Sequence, residues 1–233
     1  MTALPLLLVP GMMCDARLFT PQISALSRHY PIHCAWVGGY GTVERLAIEI
    51  LNHAPPRFNL AGLSMGGIIA MELIRQAPER VDRLALLNTN CQSEKQKVRE
   101  YREPLIARVQ AGELEQVMKQ ELRPRYLAEG NHRKQIMELW LQMALDLGTD
   151  VFVRQSRALQ QRADQKETLA KVRVPTLILC GAEDELCPIG YHELMHSLIP
   201  GSHLEIIDKA GHLSTLEQPE ATTMSLLRWL QAS

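Results

Sequence analysis

The stretch FNLAGLSMGGIIAMEL, residues 58–73, constrains the chain more than any other. An apolar run leads into a serine fenced by glycines, and a second apolar run leads away from it. A strand that must reverse at once into a helix needs small neighbours, because a Cβ at Gly62 or Gly66 would collide across the turn. Such an elbow holds the Ser64 side chain out over the sheet edge and turns the following amides toward the same space. The G-x-S-x-G pattern alone is also compatible with a plain glycine-lined βα turn. The strand-like run before it and the helix-like run after it supply the context that a catalytic serine requires.

The segments around the elbow repeat its alternation. LPLLLV (4–9), PIHCAWV (31–37), FNLAGL (58–63) and VDRLALLN (81–88) read as buried strands, with VPTLILCG (174–181) and HLEIID (203–208) following later. Helical patterns separate them: LFTPQISAL, TVERLAIEIL (42–51), the run after Ser64, a segment near 189–198 and a last one near 217–231. Continuous apolar strands divided by helices predict a mostly parallel sheet of about six strands, covered on both faces. The pattern breaks near Asn90. From Gln92 to about Lys171 the chain is charged and helical, and Leu139, Trp140, Met143 and Leu147 give a segment near 132–147 one apolar face. The expected organisation is therefore an α/β core, 1–91 and 172–233, with a helical cap at 92–171.

Composition narrows the function. With Lys+Arg 25 against Asp+Glu 26 the net charge is -1, and no basic stripe suggests a nucleic-acid partner. No apolar run is long enough for a membrane span. MTALPLLLVPGMM lacks a basic start and reads as a first strand, not a leader. Cys14, Cys34, Cys91, Cys180 and Cys187 are scattered, odd in number and without close metal-ligand spacing, so a reducing, cytoplasmic location is expected.

A serine hydroxyl needs a base to take its proton. His212, in DKAGHLSTLEQPE, follows the last predicted strand on a glycine-flanked loop, a placement that His29, His33, His53, His132 and His192 lack. His196 and His203 are its rivals, His196 reading as the solvated face of a short helix. The base in turn needs a carboxylate on its other nitrogen. LILCGAEDELCP offers Asp184 just beyond a strand, with Glu183 as the fallback and Glu185 also adjacent. Oxyanion donors are expected from the Met65 amide and, in VPGMMCD, from the Met12 amide, with Gly11 permitting close approach. The thioethers of Met12, Met13 and Met65 read as pocket wall or as simple core filling. Met13, Trp140 and Met143 are taken as the lining of a partly apolar pocket.

VPGMM, GLSMGG, GAEDELCP and KAGHLSTLEQP, in that order, resemble the oxyanion loop, nucleophile elbow, acid loop and histidine loop of the α/β-hydrolase superfamily. The resemblance runs over nearly the whole chain. It implies Ser64 as nucleophile, Asp184 as acid, His212 as base and the insertion as a lid, with no metal or organic cofactor. Where the family has His-Gly before the oxyanion residue, this chain has Pro10-Gly11. It also begins at what resembles the family's third strand. The implied activity is that of a serine carboxylesterase, forming an acyl-enzyme on a small to medium, partly apolar ester. One alternative is a carbon–carbon hydrolase or a lyase similar to a menaquinone-pathway synthase, acting on a carboxylated substrate. Such a substrate would draw on Arg99, Arg102, Arg123, Arg125, Arg154 and Arg157 of the insertion. A second is a non-catalytic ligand-binding module of the same fold. The expected partner is a small molecule, and the oligomeric state is left open.

Overall fold

Six parallel strands form one sheet in the order β2-β1-β3-β4-β5-β6 in the computed structural model, which describes residues 3–122, 126–130 and 132–232. They are β1 (Leu6–Val9), β2 (Ile32–Cys34), β3 (Phe58–Leu63), β4 (Val81–Leu87), β5 (Thr176–Gly181) and β6 (His203–Ile207). The helices are α1 (Thr20–Leu26), α2 (Val43–His53), α3 (Met65–Gln76), α4 (Gln96–Gln110), α5 (Leu114–Val117), α6 (Arg133–Gln161), α7 (Lys166–Leu169), α8 (Ile189–Leu198), α9 (Ser214–Glu217) and α10 (Pro219–Gln231). The chain lays β2 on one side of β1 and everything later on the other, so the order reverses between β1 and β3. A crevice outside the carboxyl ends of the strands opens at such a reversal.

The local reasons follow from the side chains. Every residue of β1, β3 and β5 is buried, as strands covered on both faces must be. Helix α2 buries Val43, Leu46, Ala47 and Ile50, a spacing that makes one apolar stripe. Thr42 starts it, its Oγ1 accepting the Arg45 amide. Helix α3 follows the elbow with ten consecutive buried residues, Met65 to Ile74, because it lies between the sheet and α2.

The insertion between β4 and β5 is helical, as expected, but α6 is longer than its predicted segment. It runs on to Gln161 through Gly148, whose φ of 81° and ψ of 178° break the helix into two pieces. The apolar stripe at Trp140 and Met143 belongs to the first piece, and periodicity across a non-helical residue is not continuous. The stretch before α1 is a short 3-10 turn, Ala16–Phe19, instead of more α-helix. It is set by Asp15, which accepts the Arg17 amide.

The elbow is packed to contact. A Cβ on Gly66 would lie 1.9 Å from the Val9 carbonyl oxygen, and one on Gly62 would lie 2.2 Å from the Gly66 carbonyl oxygen. These neighbours are backbone and cannot swing away. Gly66→Ala is therefore expected to destabilise the protein by about 3 kcal/mol or more, above the usual cost of overpacking a core. A urea titration of wild type and variant reads it; a midpoint shift worth less than about 1 kcal/mol would show that β1 and α3 separate easily.

Candidate active site

Three loops at the carboxyl ends of the strands converge. Ser64 sits between β3 and α3 with φ 57° and ψ -118°, a conformation seldom held by a residue other than glycine. It is locked there from both sides. Its amide donates to the Leu87 carbonyl at 2.9 Å, and its carbonyl accepts the Thr89 hydroxyl at 2.7 Å and the amides of Gly67 and Ile68. Strain of this kind persists where surrounding bonds over-determine it.

His212 stands 2.7 Å from the Ser64 Oγ through Nε2, and 2.9 Å from an Asp184 carboxylate oxygen through Nδ1. Asp184 and His212 are both buried. Burial alone would push the Asp184 carboxyl up. The imidazole, the Cys187 amide and the Asn88 side chain outweigh it and hold the group below its ordinary value. An ionised Asp184 fixes the Nδ1–H tautomer and leaves Nε2 to face the serine. Glu183, the fallback carboxylate, is exposed. His196 is exposed and pairs with Ser202, while His203 lies near Glu205.

Several positioning residues escaped the sequence analysis. Asn88, at φ 46° just past β4, donates to the Asp184 carboxylate at 2.9 Å and to the Gly211 carbonyl at 3.0 Å, and accepts the Ser214 hydroxyl. One side chain thus spaces the acid loop from the histidine loop. Glu217 accepts the amides of Gly211, Leu213 and Ala128, gripping the backbone on both sides of His212. The His212 amide itself donates to the Tyr126 carbonyl at 2.8 Å, so the cap segment and the histidine loop are tied together. The only sequence signal was polarity out of place: LLNTN ends an otherwise apolar strand beside the elbow strand.

His192 belongs with these positioning residues. It is fully buried in α8, accepts the Thr89 amide at Nε2, and is pushed down to about 4 by burial.

The loop after β1, where an oxyanion donor is expected, lies against the elbow, since a Cβ on Gly11 would sit 3.4 Å from Ser64 Cβ. Met13, at φ 54°, gives its amide to the buried Gln155 side chain, which also holds the Val37 carbonyl. Through that anchor α6 pins the loop. Met65 opens α3, where the first amides have no acceptor within the helix. Met13, Trp140 and Met143 are all buried. Trp140 packs on Tyr126 at 4.8 Å, and the Tyr126 ring meets His212 edge-on at 5.4 Å.

The cysteine reading needs correcting. Cys187, at the end of the acid loop, brings its sulfur together with Asp184 and His212, ligand atoms of the three lying within 4.8 Å of one another. A site made of serine, histidine and aspartate alone, with all five cysteines elsewhere, is not what the fold builds. The Asp–His pair has a thiol beside it as well as a hydroxyl, and the serine-esterase description did not weigh that rival. The thiol is not at the elbow. It sits just before α8, and its amide donates to Asp184. Burial, then the neighbouring Asp184 charge, push it well above the ordinary thiol range. The same three groups are the metal-capable cluster among the described residues, although both His212 nitrogens already have protein partners.

Among the described residues, the insertion arginines do not converge as a lyase of polyanions would require. Arg154 donates to the Gly38 carbonyl, Arg157 pairs with Glu103 and Arg99 donates to the Glu94 carbonyl. Arg102 alone of that set reaches the oxyanion loop, at Met12, while Arg123 and Arg125 lie outside the described residues.

The α/β-hydrolase fold family matches residues 42–219, spanning the elbow, acid and histidine loops. The chain belongs to that family. It is 24% identical over 230 residues to a pimeloyl-acyl-carrier-protein methyl ester esterase of Nitrosomonas europaea, covering 92% of this chain and 91% of that one. Among solved structures, a thermophilic esterase from Thermogutta terrifontis, with malate bound, superposes with a TM-score of 0.90 at 28% identity. That match covers 99% of this chain and 90% of that one. The enol-lactonase of Burkholderia xenovorans shares the fold at a TM-score of 0.88 and 21% identity, with 98% of this chain and 91% of that one covered. No helix among the described residues is long and apolar enough to cross a membrane.

His192 generates a test. Its folded pKa lies below the ordinary 6.5, so the unfolded chain binds the extra proton between about 6.5 and about 4. Its contribution to stability is complete above pH 6.5 and is lost as pH falls toward 4. The loss should reach about 3 kcal/mol. Urea unfolding from pH 7 to 4 should show a shallower decline for His192→Gln than for wild type; parallel declines would remove His192 as the source.

Proposed function

We propose that this chain hydrolyses an ester-type acyl bond in a small organic substrate, with Ser64 Oγ as the attacking atom. The observation that carries the reading is the 2.7 Å contact between His212 Nε2 and the Ser64 hydroxyl. A base within hydrogen-bond reach of a nucleophile, itself oriented by a buried carboxylate, is the arrangement that acyl transfer needs. Ser64 Oγ bonds to the acyl carbon as its proton passes to His212. The carbonyl oxygen becomes the oxyanion, facing the Met65 and Met12 amides. Collapse breaks the bond to the leaving oxygen, which takes the proton from His212 and departs as the alcohol. Water then adds to the acyl-enzyme, giving its proton to His212, and the acid leaves as Ser64 recovers its hydrogen. Asp184 stabilises the imidazolium in both halves.

Cys187 is the weaker candidate for the attacking role. Thiol chemistry runs through the thiolate, and a thiolate here would form in a buried place beside an ionised carboxylate. The thiol also lies on the acid loop, away from the helix start that presents Ser64. Met13, Trp140 and Met143 are proposed to shape the acyl pocket, with residues 92–171 as its lid. The esterases to which the chain is similar support an ester as the bond class.

Turnover of p-nitrophenyl acetate through decanoate should separate the two candidates. Ser64→Ala is expected to lose at least roughly a thousandfold in kcat, whereas Cys187→Ser should keep activity within about tenfold of wild type, a smaller loss than removal of a triad member brings. Activity retained by Ser64→Ala and abolished by Cys187→Ser would overturn the assignment.

A further inference from the structure

Beside the oxyanion loop two guanidinium groups share one carboxylate. Glu94 receives Arg102 at 3.0 Å on one oxygen and Arg162 at 3.0 Å on the other. The three side chains are 6%, 17% and 9% exposed, in the order Glu94, Arg102, Arg162. Two cations against one anion leave a surplus positive charge in a largely desolvated place. Nearby carboxylates do not cancel it: Asp164 pairs with Lys166, and Asp184 is committed to His212, Asn88 and two amides. Arg162 is otherwise spent on the Gln92 carbonyl and the Asn90 side chain. Arg102 is not. Among the described residues its Nη1 has only the Met12 sulfur as partner, at 3.7 Å, a weak acceptor for a charged donor. Met12 is the residue whose amide is proposed as an oxyanion donor, and a Cβ on its neighbour Gly11 would lie 3.4 Å from Ser64 Cβ.

We propose that Arg102 binds a carboxylate carried by the substrate, so that the preferred ester is the monoester of a short dicarboxylic acid. The inference rests on the hydrolase reading of the same site. An arriving carboxylate replaces the sulfur contact with charge-assisted hydrogen bonds from a planar donor already held in place by Glu94. It also neutralises the surplus charge, which a neutral acyl chain does not. Arg102 is thus a specificity residue that takes no part in bond breaking.

The test compares monomethyl esters of succinic, glutaric and adipic acid with methyl esters of monoacids of the same chain length. Wild type should favour the acid esters by roughly tenfold to a hundredfold in kcat/KM, the value of one such contact. The preference should lie mainly in KM. Arg102→Met should collapse the ratio toward one, and Arg102→Lys should restore part of it, a rescue that a merely structural role would not give. A wild-type ratio near one, or an unchanged ratio in Arg102→Met, would sink the proposal. Calorimetry of glutarate with folded Ser64→Ala, with and without Arg102→Met, reads the same contact without turnover. Arg102-dependent binding alongside no ester turnover by wild type would remove the hydrolase reading and leave the carboxylate site standing. Turnover with no such binding would do the reverse.

Discussion

The start of α3 lies against the end of β1 with no room for a side chain between them, and the rest of the site inherits that geometry. With hydrogen atoms at 62 and 66, the helix descends until its backbone meets the Val9 and Pro10 carbonyls. That contact forces Ser64 into its left-handed conformation and brings the orphan amides at the helix start beside the oxyanion loop. Ser64 and the amides at the helix start are therefore positioned by backbone packing, which cannot relax by a rotamer change. The strained residue is held by the Leu87 carbonyl and the Thr89 hydroxyl of the neighbouring strand end.

A second layer of organisation is polar and buried. Asn88 spaces the acid and histidine loops, Thr89 reaches the elbow and His192, and Glu217 grips the backbone around His212. Burial pushes the Glu217 carboxyl up, and three amides work against that shift. Gln155 plays the corresponding part for the oxyanion loop, reaching it from α6. The loops that carry the chemistry are thus mounted on the sheet and on the insertion together, and the lid helices are part of the site's scaffold. Cys187 and the Arg102–Glu94–Arg162 group complete the surroundings, one a neutral thiol by the acid, the other a surplus cation by the oxyanion loop.

Much of this was legible in the sequence for one reason: contacts that are local in the chain leave local signatures. The G-x-S-x-G spacing reports a steric demand within five residues, and the apolar runs of β1, β3 and β5 report burial on both faces. The boundaries of α8 (Ile189–Leu198) follow from its flanking proline and its own pattern. Asp184 was separable from Glu183 and Glu185 only weakly, because three adjacent acidic positions look alike until the loop turns one inward and leaves Glu183 exposed.

The sequence by itself determined the alternation of strands and helices, the place of the elbow, and the serine, histidine and aspartate that stand at the strand ends. Their spacing along the chain carries that information because strand, turn and helix are near-neighbour phenomena. Tertiary structure alone decided which distant polar groups meet: Asn88 with Asp184 across 96 positions, Gln155 with the Met13 amide across 142, and Cys187 with His212 at the acid's side. It also decided that Arg102 turns inward while Arg157 does not. These meetings depend on strand order and on how the insertion folds back over the sheet. No periodicity records them, since a buried polar residue differs from a solvated one only in what finally lies against it.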